Sequence, residues 1–190
     1  MNVRKLMVNV LVSFIITSVL CLSYAEASKL LISRSWKMQQ DSQWCWVACA
    51  QNSVINVLGK AESQESGVKY IHGSKVNKGA NNAQTARVAE YLSNDVLVYG
   101  HTATGTKKGF SFLKGKIDVG YVTILSSGCY EGTIRKYGHD VLMTGYDTTG
   151  GNHIYYYDPL DGKVNFCTYK SFVNGTYNGA KYDGTIYNVC

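Results

Sequence analysis

The chain has 190 residues, of which 45% are hydrophobic, and its lysines and arginines exceed its aspartates and glutamates by six. This length fits one domain with a single core and is short for two. The positive charges are spread along the chain. Because there is neither an arginine-rich tract nor a phosphate-binding glycine motif, we predict no nucleic-acid partner.

Residues 1–27 have the pattern of an export signal. Arg4 and Lys5 precede an uncharged, mostly apolar run over residues 6–25, and Ala25-Glu26-Ala27 matches a small-x-small cleavage site. The run is also long enough for an uncleaved membrane anchor, but the cleavage site favours removal after Ala27. We therefore predict a signal peptide at 1–27 and one domain at 28–190, forming a monomer that is secreted or periplasmic and free of the membrane.

Five cysteines would remain after cleavage: Cys45, Cys49, Cys129, Cys167 and Cys190. In an oxidising compartment an odd number of cysteines predicts two disulfides and one free thiol. We expect Cys45 to be the free thiol, and the other four could pair in three ways. For Cys49, which lies one helical turn after Cys45, a buried and unbridged thiol is an equally good prediction.

Two helices are predicted in the first half of the domain. From Gln43 to Leu58 the apolar residues recur at helical spacing, with Ser42 as the expected N-cap and Gly59 as the stop. We interpret this segment as a buried central helix. Residues 60–80 predict a long connection with room for a short helix, and a second helix is predicted over 82–92.

From Asp95 onward, β-branched and aromatic residues dominate, and turn signals separate short runs. The predicted strands are DVLVYG (95–100), GYVTILSS (120–127), HDVLMTGY (139–146), NHIYYYD (152–158) and KVNFCTY (163–169). Residues 182–189 are predicted to form either a further strand or an extended tail. Helices followed by an antiparallel sheet predict an α+β fold.

Cys45 is the candidate nucleophile. In the first turn of the central helix it would lie at the positive end of the helix dipole, beside unpaired N–H groups that favour a thiolate. Its own N–H could stabilise a developing oxyanion, which needs a second donor. The side-chain amide of Gln39, just before the helix, is the preferred second donor, and Gln40 and Gln43 compete with it.

The base must be one of four histidines: His72, His101, His139 and His153. The runs 139–147 and 152–158 predict a hairpin in which Asp147 pairs with Asn152, and this register sets Val141 opposite Asp158. Asp158 would then share a face with His139, one diagonal step away, whereas the second histidine of the hairpin lies on the other face. We predict His139 as the base and Asp158 as the residue that orients it.

Two stretches resemble papain-like cysteine peptidases. Gln39, five intervening residues and Cys45-Trp46 resemble the active-site signature of that family, and the form WCWVA is similar to its compact bacterial branch. That branch includes effector proteases of plant pathogens and relatives of bacteriocin leader peptidases. GHDVLMTGYD followed by YYYDP is similar to the family's histidine strand and to the strand that ends in its aspartate, with Asp158 in place of the asparagine of classical papain.

The resemblance implies a papain-like fold, in which a central N-terminal helix packs on a C-terminal antiparallel sheet. It also implies a Cys45-His139-Asp158 triad with Gln39 as oxyanion donor. The expected function is an exported cysteine endopeptidase that acts on protein or peptide substrates, as a secreted toxin or effector, without a cofactor or metal. We expect residues 60–80 and 101–115 to form most of the substrate pocket.

Three alternatives remain at this point. A thiol acyltransferase or cell-wall amidase of the transglutaminase type shares the Cys-His-Asp order, although the spacing of Gln39 favours a peptidase. A catalytically silent secreted binding module would keep the fold but not the activity. A structural zinc site at Cys45, Cys49 and His139 is weaker, because the spacing of these residues is poor for zinc.

Overall fold

A computed structural model of the protein describes residues 27–33, 35–175 and 179–189. The predicted export signal lies outside these residues apart from Ala27, and so does Cys190. Among the helices that are described, none is both long enough and apolar enough to cross a membrane.

Over the described residues, the chain forms five helices and seven strands. In chain order they are β1 (Ser28–Leu30), α1 (Cys45–Leu58), α2 (Gln64–His72), α3 (Asn82–Leu92), β2 (Tyr99–His101), α4 (Phe110–Asp118), β3 (Thr123–Glu131), β4 (Ile134–Asp147), β5 (His153–Asp158), β6 (Lys163–Thr168), α5 (Tyr169–Asn174) and β7 (Lys181–Asn188).

The strands form one antiparallel sheet in the order β2-β7-β3-β4-β5-β6, and β1 also pairs with β4. The longest strand, β4, lies in the interior of this sheet between β3 and β5. Helices precede most of the strands, so the predicted α+β class is confirmed. The architecture is consistent with the papain-like fold.

Both faces of the sheet are covered. Neighbouring residues of a strand point to opposite faces, and Ile124 accordingly packs into a core with α1 and α3, while Leu125 packs into a second core with α4 and α5. Residues 45–55 of α1 are all buried, as expected of a helix enclosed between the sheet and other helices. This confirms the predicted central helix.

Most elements lie where the sequence places them. Helix α3 has the predicted bounds, α2 occupies the predicted short helix within 60–80, and the C-terminal segment forms strand β7. The 95–100 run is different, because only Tyr99 and Gly100 of it join the sheet. Asn94 and Asp95 have positive φ angles of 55° and 58°. The turn that follows α3 therefore extends into the segment that was predicted as a strand.

Helices α4 and α5 were not predicted. In α4, Phe110, Leu113 and Ile117 recur at helical spacing, and the last two are fully buried. The run KVNFCTY was interpreted as strand through Tyr169, but the strand ends at Thr168. The hydroxyl of Thr168 accepts a hydrogen bond from the backbone N–H of Ser171 at 3.1 Å and so caps α5.

Candidate active site

Cys45 is the first residue of α1, and its side chain is almost fully buried. The first backbone hydrogen bond of the helix runs from the N–H of Ala48 to the carbonyl of Trp44 at 3.0 Å. In the described part of the chain, no side chain caps this end, and its first turn carries no acidic residue. The sulfur therefore lies at the positive end of the dipole of a 14-residue helix, which favours an anion there.

The N-cap is Trp44, so the prediction of Ser42 as the cap is wrong. Residues 41–44 form a turn closed by a 3.1 Å hydrogen bond from the Trp44 N–H to the Asp41 carbonyl. The Ser42 hydroxyl instead accepts a hydrogen bond from the Asn77 side chain at 2.7 Å. Because of this turn, the helix begins two residues later than predicted, at Cys45 rather than at Gln43.

The first turn of α1 and the residue before it are hydrogen-bonded to the loop that follows α2. The indole N–H of Trp44 donates to the Val76 carbonyl at 2.9 Å, and that of Trp46 donates to the Lys78 carbonyl at 3.0 Å. Both indoles are buried. They hold the next residues of the loop, Gly79 and Ala80, in the wall of a cleft in front of Cys45.

His139 lies on β4 and contacts the end of β5. Its Nε2 atom is 2.8 Å from Oδ1 of Asp158, and the side chains of His139 and Asp158 are only 25% and 7% exposed. The same Oδ1 accepts a hydrogen bond from the backbone N–H of Leu160 at 2.9 Å. The carboxylate is thus held by its own loop while it orients the imidazole.

Cys45 and His139 line the same cleft, and the thiol is near enough to the imidazole to affect its pKa. Burial lowers the pKa of His139, but the hydrogen bonds to Asp158 and Cys45 and the negative charges of both groups outweigh it and raise the pKa to about 10. The ring therefore holds its proton at neutral pH.

Asp158 remains a carboxylate in this setting. Burial raises its pKa, but the hydrogen bond from His139, the charge of the imidazolium and the backbone N–H of Leu160 together lower it below its usual value. An ionised aspartate and a protonated histidine form a neutral pair.

The hairpin that carries these residues differs from the prediction at its turn. Asp147 pairs with His153 rather than with Asn152, so the loop has five residues instead of four. The Asp147 carboxylate accepts a hydrogen bond from the backbone N–H of Thr149 at 2.6 Å, and Gly151 adopts a φ angle of 144°. The longer loop shifts the register at the turn by one residue.

A bulge corrects that shift before the strands reach the site. The register changes between Met143 and Gly145, and Leu142 pairs with Tyr157. This is the pairing that the predicted register requires at that position. The expectation that His139 and Asp158 lie within reach of each other therefore agrees with the geometry, although the turn was wrong.

The side-chain amide of Gln39 is bonded to the turn that precedes α1. Its Nε2 donates to the carbonyl oxygens of Asp41 and Ser42 at 2.9 and 3.1 Å. Its Oε1 is buried and has no hydrogen-bond partner among the described residues. Of the rival donors, Gln43 lines the cleft beside Cys45 and Gln40 does not; their backbone N–H groups donate to the side-chain oxygens of Asn77 and Gln64, respectively.

The other three histidines lie apart from Cys45. His153 stacks on Phe166 with 5.0 Å between ring centres, and His72 packs edge-on against Trp46 at 5.7 Å. His101 ends the edge strand β2. Over the described residues, no group of three or more Cys, His, Asp or Glu side chains is arranged to hold a metal ion, which gives the zinc alternative no support.

The disulfide prediction finds no support among the described cysteines, because Cys45, Cys49, Cys129 and Cys167 form no disulfide with one another. Cys49 matches the alternative of a buried, unbridged residue. Its sulfur donates to the carbonyl of Asp140 at 3.3 Å, which ties α1 to the strand residue after His139. Burial raises the pKa of Cys49 well above its usual value, so this thiol is chemically inert.

A cleft of about 700 Å³ opens in front of Cys45. Gly79 and Ala80 form part of its wall, as expected of the 60–80 segment, but the 101–115 segment does not line it. Its opposite wall is the β4 segment 135–140. The described geometry thus joins a thiol, an imidazole and a carboxylate at the edge of an open cleft.

The chain matches the model of a known protein family. The model of the Peptidase_C39 like family matches residues 32–184, which include Cys45, His139, Asp158 and Gln39. The chain belongs to the Peptidase_C39 like family. A comparison with curated proteins found no match.

Membership of this papain-like, cysteine peptidase-type family bears out the resemblance at the level of the family.

The cleft also contains a residue that the sequence analysis missed. Arg135 lines the cleft, and it donates to Asp183 from Nε at 3.0 Å and to the Ser127 carbonyl from Nη2 at 2.9 Å. Its guanidinium lies over Gly128 and Gly138, which pair directly across β3 and β4. Gly138, the residue before His139, was the sequence feature that could have indicated this close packing.

Proposed function

We propose that this protein is a cysteine endopeptidase in which Cys45 attacks the peptide bond, His139 transfers protons and Asp158 orients His139. The observation that supports this most strongly is that the imidazole of His139 shares a cleft with a thiol at a helix N-terminus and is hydrogen-bonded to a buried carboxylate. Membership of a cysteine peptidase-type family supports the same reaction class. An open cleft beside the thiol gives a peptide access to it.

In the acylation step, the Cys45 thiolate forms a bond to the carbonyl carbon of the substrate, and the π electrons move to the oxygen. The tetrahedral intermediate then collapses, the C–N bond breaks, and the His139 imidazolium gives its proton to the leaving nitrogen. The products of this step are a free amine and a thioester on Cys45. Asp158 holds the ring in place throughout.

In the deacylation step, the now neutral His139 removes a proton from water, which attacks the thioester carbon. Collapse of this intermediate releases a carboxylic acid and restores the thiolate. The oxyanion of both steps lies near the free N–H groups at the start of α1. Gln39 supplies the second donor once its amide exchanges one loop carbonyl for the oxyanion.

Digestion of a denatured protein tests the proposal. Cys45→Ala and His139→Ala should each reduce cleavage by a factor of at least about 1,000, because they remove the nucleophile or the proton carrier. An epoxide inhibitor of thiol peptidases should add its mass to the peptide that contains Cys45. Normal cleavage by either variant would refute the assignment.

Two matched variants test whether the loss of a cysteine or histidine elsewhere in the protein would also lower activity. Cys167→Ala removes another free thiol, and His153→Ala removes the second histidine of the same hairpin. Both should keep wild-type activity. A thermal unfolding curve for each variant would separate lost chemistry from a lost fold.

We also propose that the protein is exported and acts as a monomer on proteins or peptides outside the cytoplasm, as a toxin or effector does. Support comes from the sequence of residues 1–27, with its basic start, apolar run and small-x-small end. Mass spectrometry of the mature protein should find Ser28 at the N-terminus. Recovery of the intact Met1 from the secreted or periplasmic fraction would contradict this.

A further inference from the structure

A second pocket, of about 270 Å³, adjoins His139. The segment 137–139 lines both this pocket and the larger cleft, so it forms the wall between them. Cys45 lines only the larger cleft. His139 thus has the nucleophile's cleft on one side and a separate cavity on the other.

The second pocket is mainly apolar. Its inner walls are Val141, Tyr156 and Phe172, which are all buried, and Leu160 stands at its rim with 58% of its surface exposed. A cavity of about 150 Å³ already accommodates benzene, so this one has room for a branched aliphatic or aromatic side chain. Burial of such a side chain would favour binding, because it removes apolar surface from water.

The charge at the pocket is unfavourable for acidic side chains. The Asp158 carboxylate lines it, and its lowered pKa keeps it ionised. The lining residues, all within the described ranges, include neither lysine nor arginine. The imidazolium of His139 also lines the pocket but is paired with Asp158, so a glutamate or aspartate there would be desolvated without a free positive charge to compensate.

The two sides of the cleaved bond have different positions in the acylation step, and this determines which part of the substrate lies near the second pocket. The acyl part becomes bonded to the Cys45 sulfur and so stays in the larger cleft. The leaving amine takes its proton from His139, so the residue that follows the scissile bond lies next to this ring, which the second pocket adjoins. We infer that the second pocket binds the side chain of that residue and selects for apolar side chains there. This inference rests on the proposed function.

The test is to sequence the cleavage sites that the protein makes in peptides from a denatured proteome. The wild type should favour Leu, Ile, Met or Phe immediately after the cleaved bond and disfavour Asp and Glu. Ala180→Phe, which places a ring in the pocket, should cut the rate for Phe at this position by about tenfold or more relative to Gly. Preferences before the cleaved bond should not change. Equal distributions in the two proteins would overturn the inference.

Leu160 provides a second variant that does not depend on repacking the interior, because its side chain is largely exposed. Leu160→Glu should raise the frequency of Lys and Arg after the cleaved bond, whereas Leu160→Gln, which has nearly the same shape without the charge, should not. Unchanged frequencies in Leu160→Glu would count against the pocket.

A binding experiment separates failure of the pocket from failure of the proposed function. If the wild type cleaves no peptide, the proposed function fails, and the pocket is tested by NMR titration of Cys45→Ala with phenylalaninamide and serinamide. Phenylalaninamide should shift the signals of Val141 and His139 at a concentration about tenfold lower than serinamide, and Ala180→Phe should remove the difference. Equal effects of the two amides would overturn the pocket assignment.

Discussion

The imidazole of His139 and the carboxylate of Asp158 lie 2.8 Å apart on neighbouring strands of the sheet. The backbone N–H of Leu160 holds the same carboxylate oxygen from the other side at 2.9 Å. With both contacts made, the ring cannot turn without breaking a buried hydrogen bond, which costs about 1–3 kcal/mol. The orientation of the ring is thereby fixed.

The first prediction concerns the pH dependence of kcat/KM. His139 must be protonated to release the amine, and its pKa is raised to about 10. A raised pKa means that the proton is retained as the pH increases, so activity should persist to about pH 10 and fall above it. Asp158→Asn removes the carboxylate that raises this pKa, so the fall should move to lower pH.

At neutral pH, Asp158→Asn should also reduce kcat/KM, by less than the roughly 100- to 10,000-fold that a positioned proton donor contributes. Asp161→Asn changes a more exposed carboxylate three residues away and should leave the profile unchanged. Superimposable alkaline limbs for the wild type and Asp158→Asn would show that the carboxylate does not set the pKa of His139.

A second prediction concerns Gln39 as oxyanion donor. Gln39→Ala should lower kcat by about 100- to 1,000-fold, the usual effect of losing one such donor, with a small change in KM. Alkylation of Cys45 by iodoacetamide passes through no oxyanion, so its rate should stay within a few-fold. Comparison of the two rates isolates the oxyanion effect from any disturbance of the thiol.

Gln40→Ala and Gln43→Ala are the matched controls, because both contribute backbone rather than side-chain donors to their observed hydrogen bonds. They should retain near wild-type kcat. If one of them loses activity and Gln39→Ala does not, the oxyanion donor is a different glutamine from the one proposed.

A third prediction concerns the pair of glycines beneath Arg135. A Cβ at residue 138 would collide with the guanidinium, so Gly138→Ala should push Arg135 away from the buried carboxylate of Asp183. Overpacking and an unpaired charge should lower the free energy of unfolding by about 1–3 kcal/mol in a denaturant titration. Gly115→Ala, in open space on α4, should instead stabilise by about 0.5–1 kcal/mol. Equal stabilities of Gly138→Ala and the wild type would contradict this packing.

A fourth prediction concerns the thiols. Since the four described cysteines form no disulfide with one another, the unfolded and unreduced protein should react with at least four equivalents of a thiol reagent. In the folded protein Cys49 should be the slowest of them, because it is fully buried and burial raises its pKa. A count below four in freshly purified protein would restore the disulfide prediction.

The sequence predicted those parts of the fold that depend on local periodicity. Helix α1 ends at Leu58 and helix α3 spans 82–92 as expected, since each combines an apolar face with a stop or cap signal. Helix α4 has similar spacing at Phe110, Leu113 and Ile117, but three glycines within residues 105–115 obscured it. The order of helices and strands then predicted the α+β class.

Other features depend on tertiary contacts that no local pattern encodes. The glycines at 150 and 151 allow loops of four or five residues, so the turn alone could not fix the register. The compensating bulge between Met143 and Gly145 became visible only in the sheet. The amide of Gln39 likewise faces carbonyls whose positions follow from the turn at 41–44. The roles of Cys45 and His139 in catalysis stay predictions.

The most direct test of the central claim is an NMR titration of the His139 ring in the wild type and in Cys45→Ala. If the thiol and the imidazole form a charged pair, the ring of the wild type should remain protonated at pH 8, and its pKa should fall when the sulfur is removed. A His139 ring that titrates near 6.5 in both proteins would contradict the account.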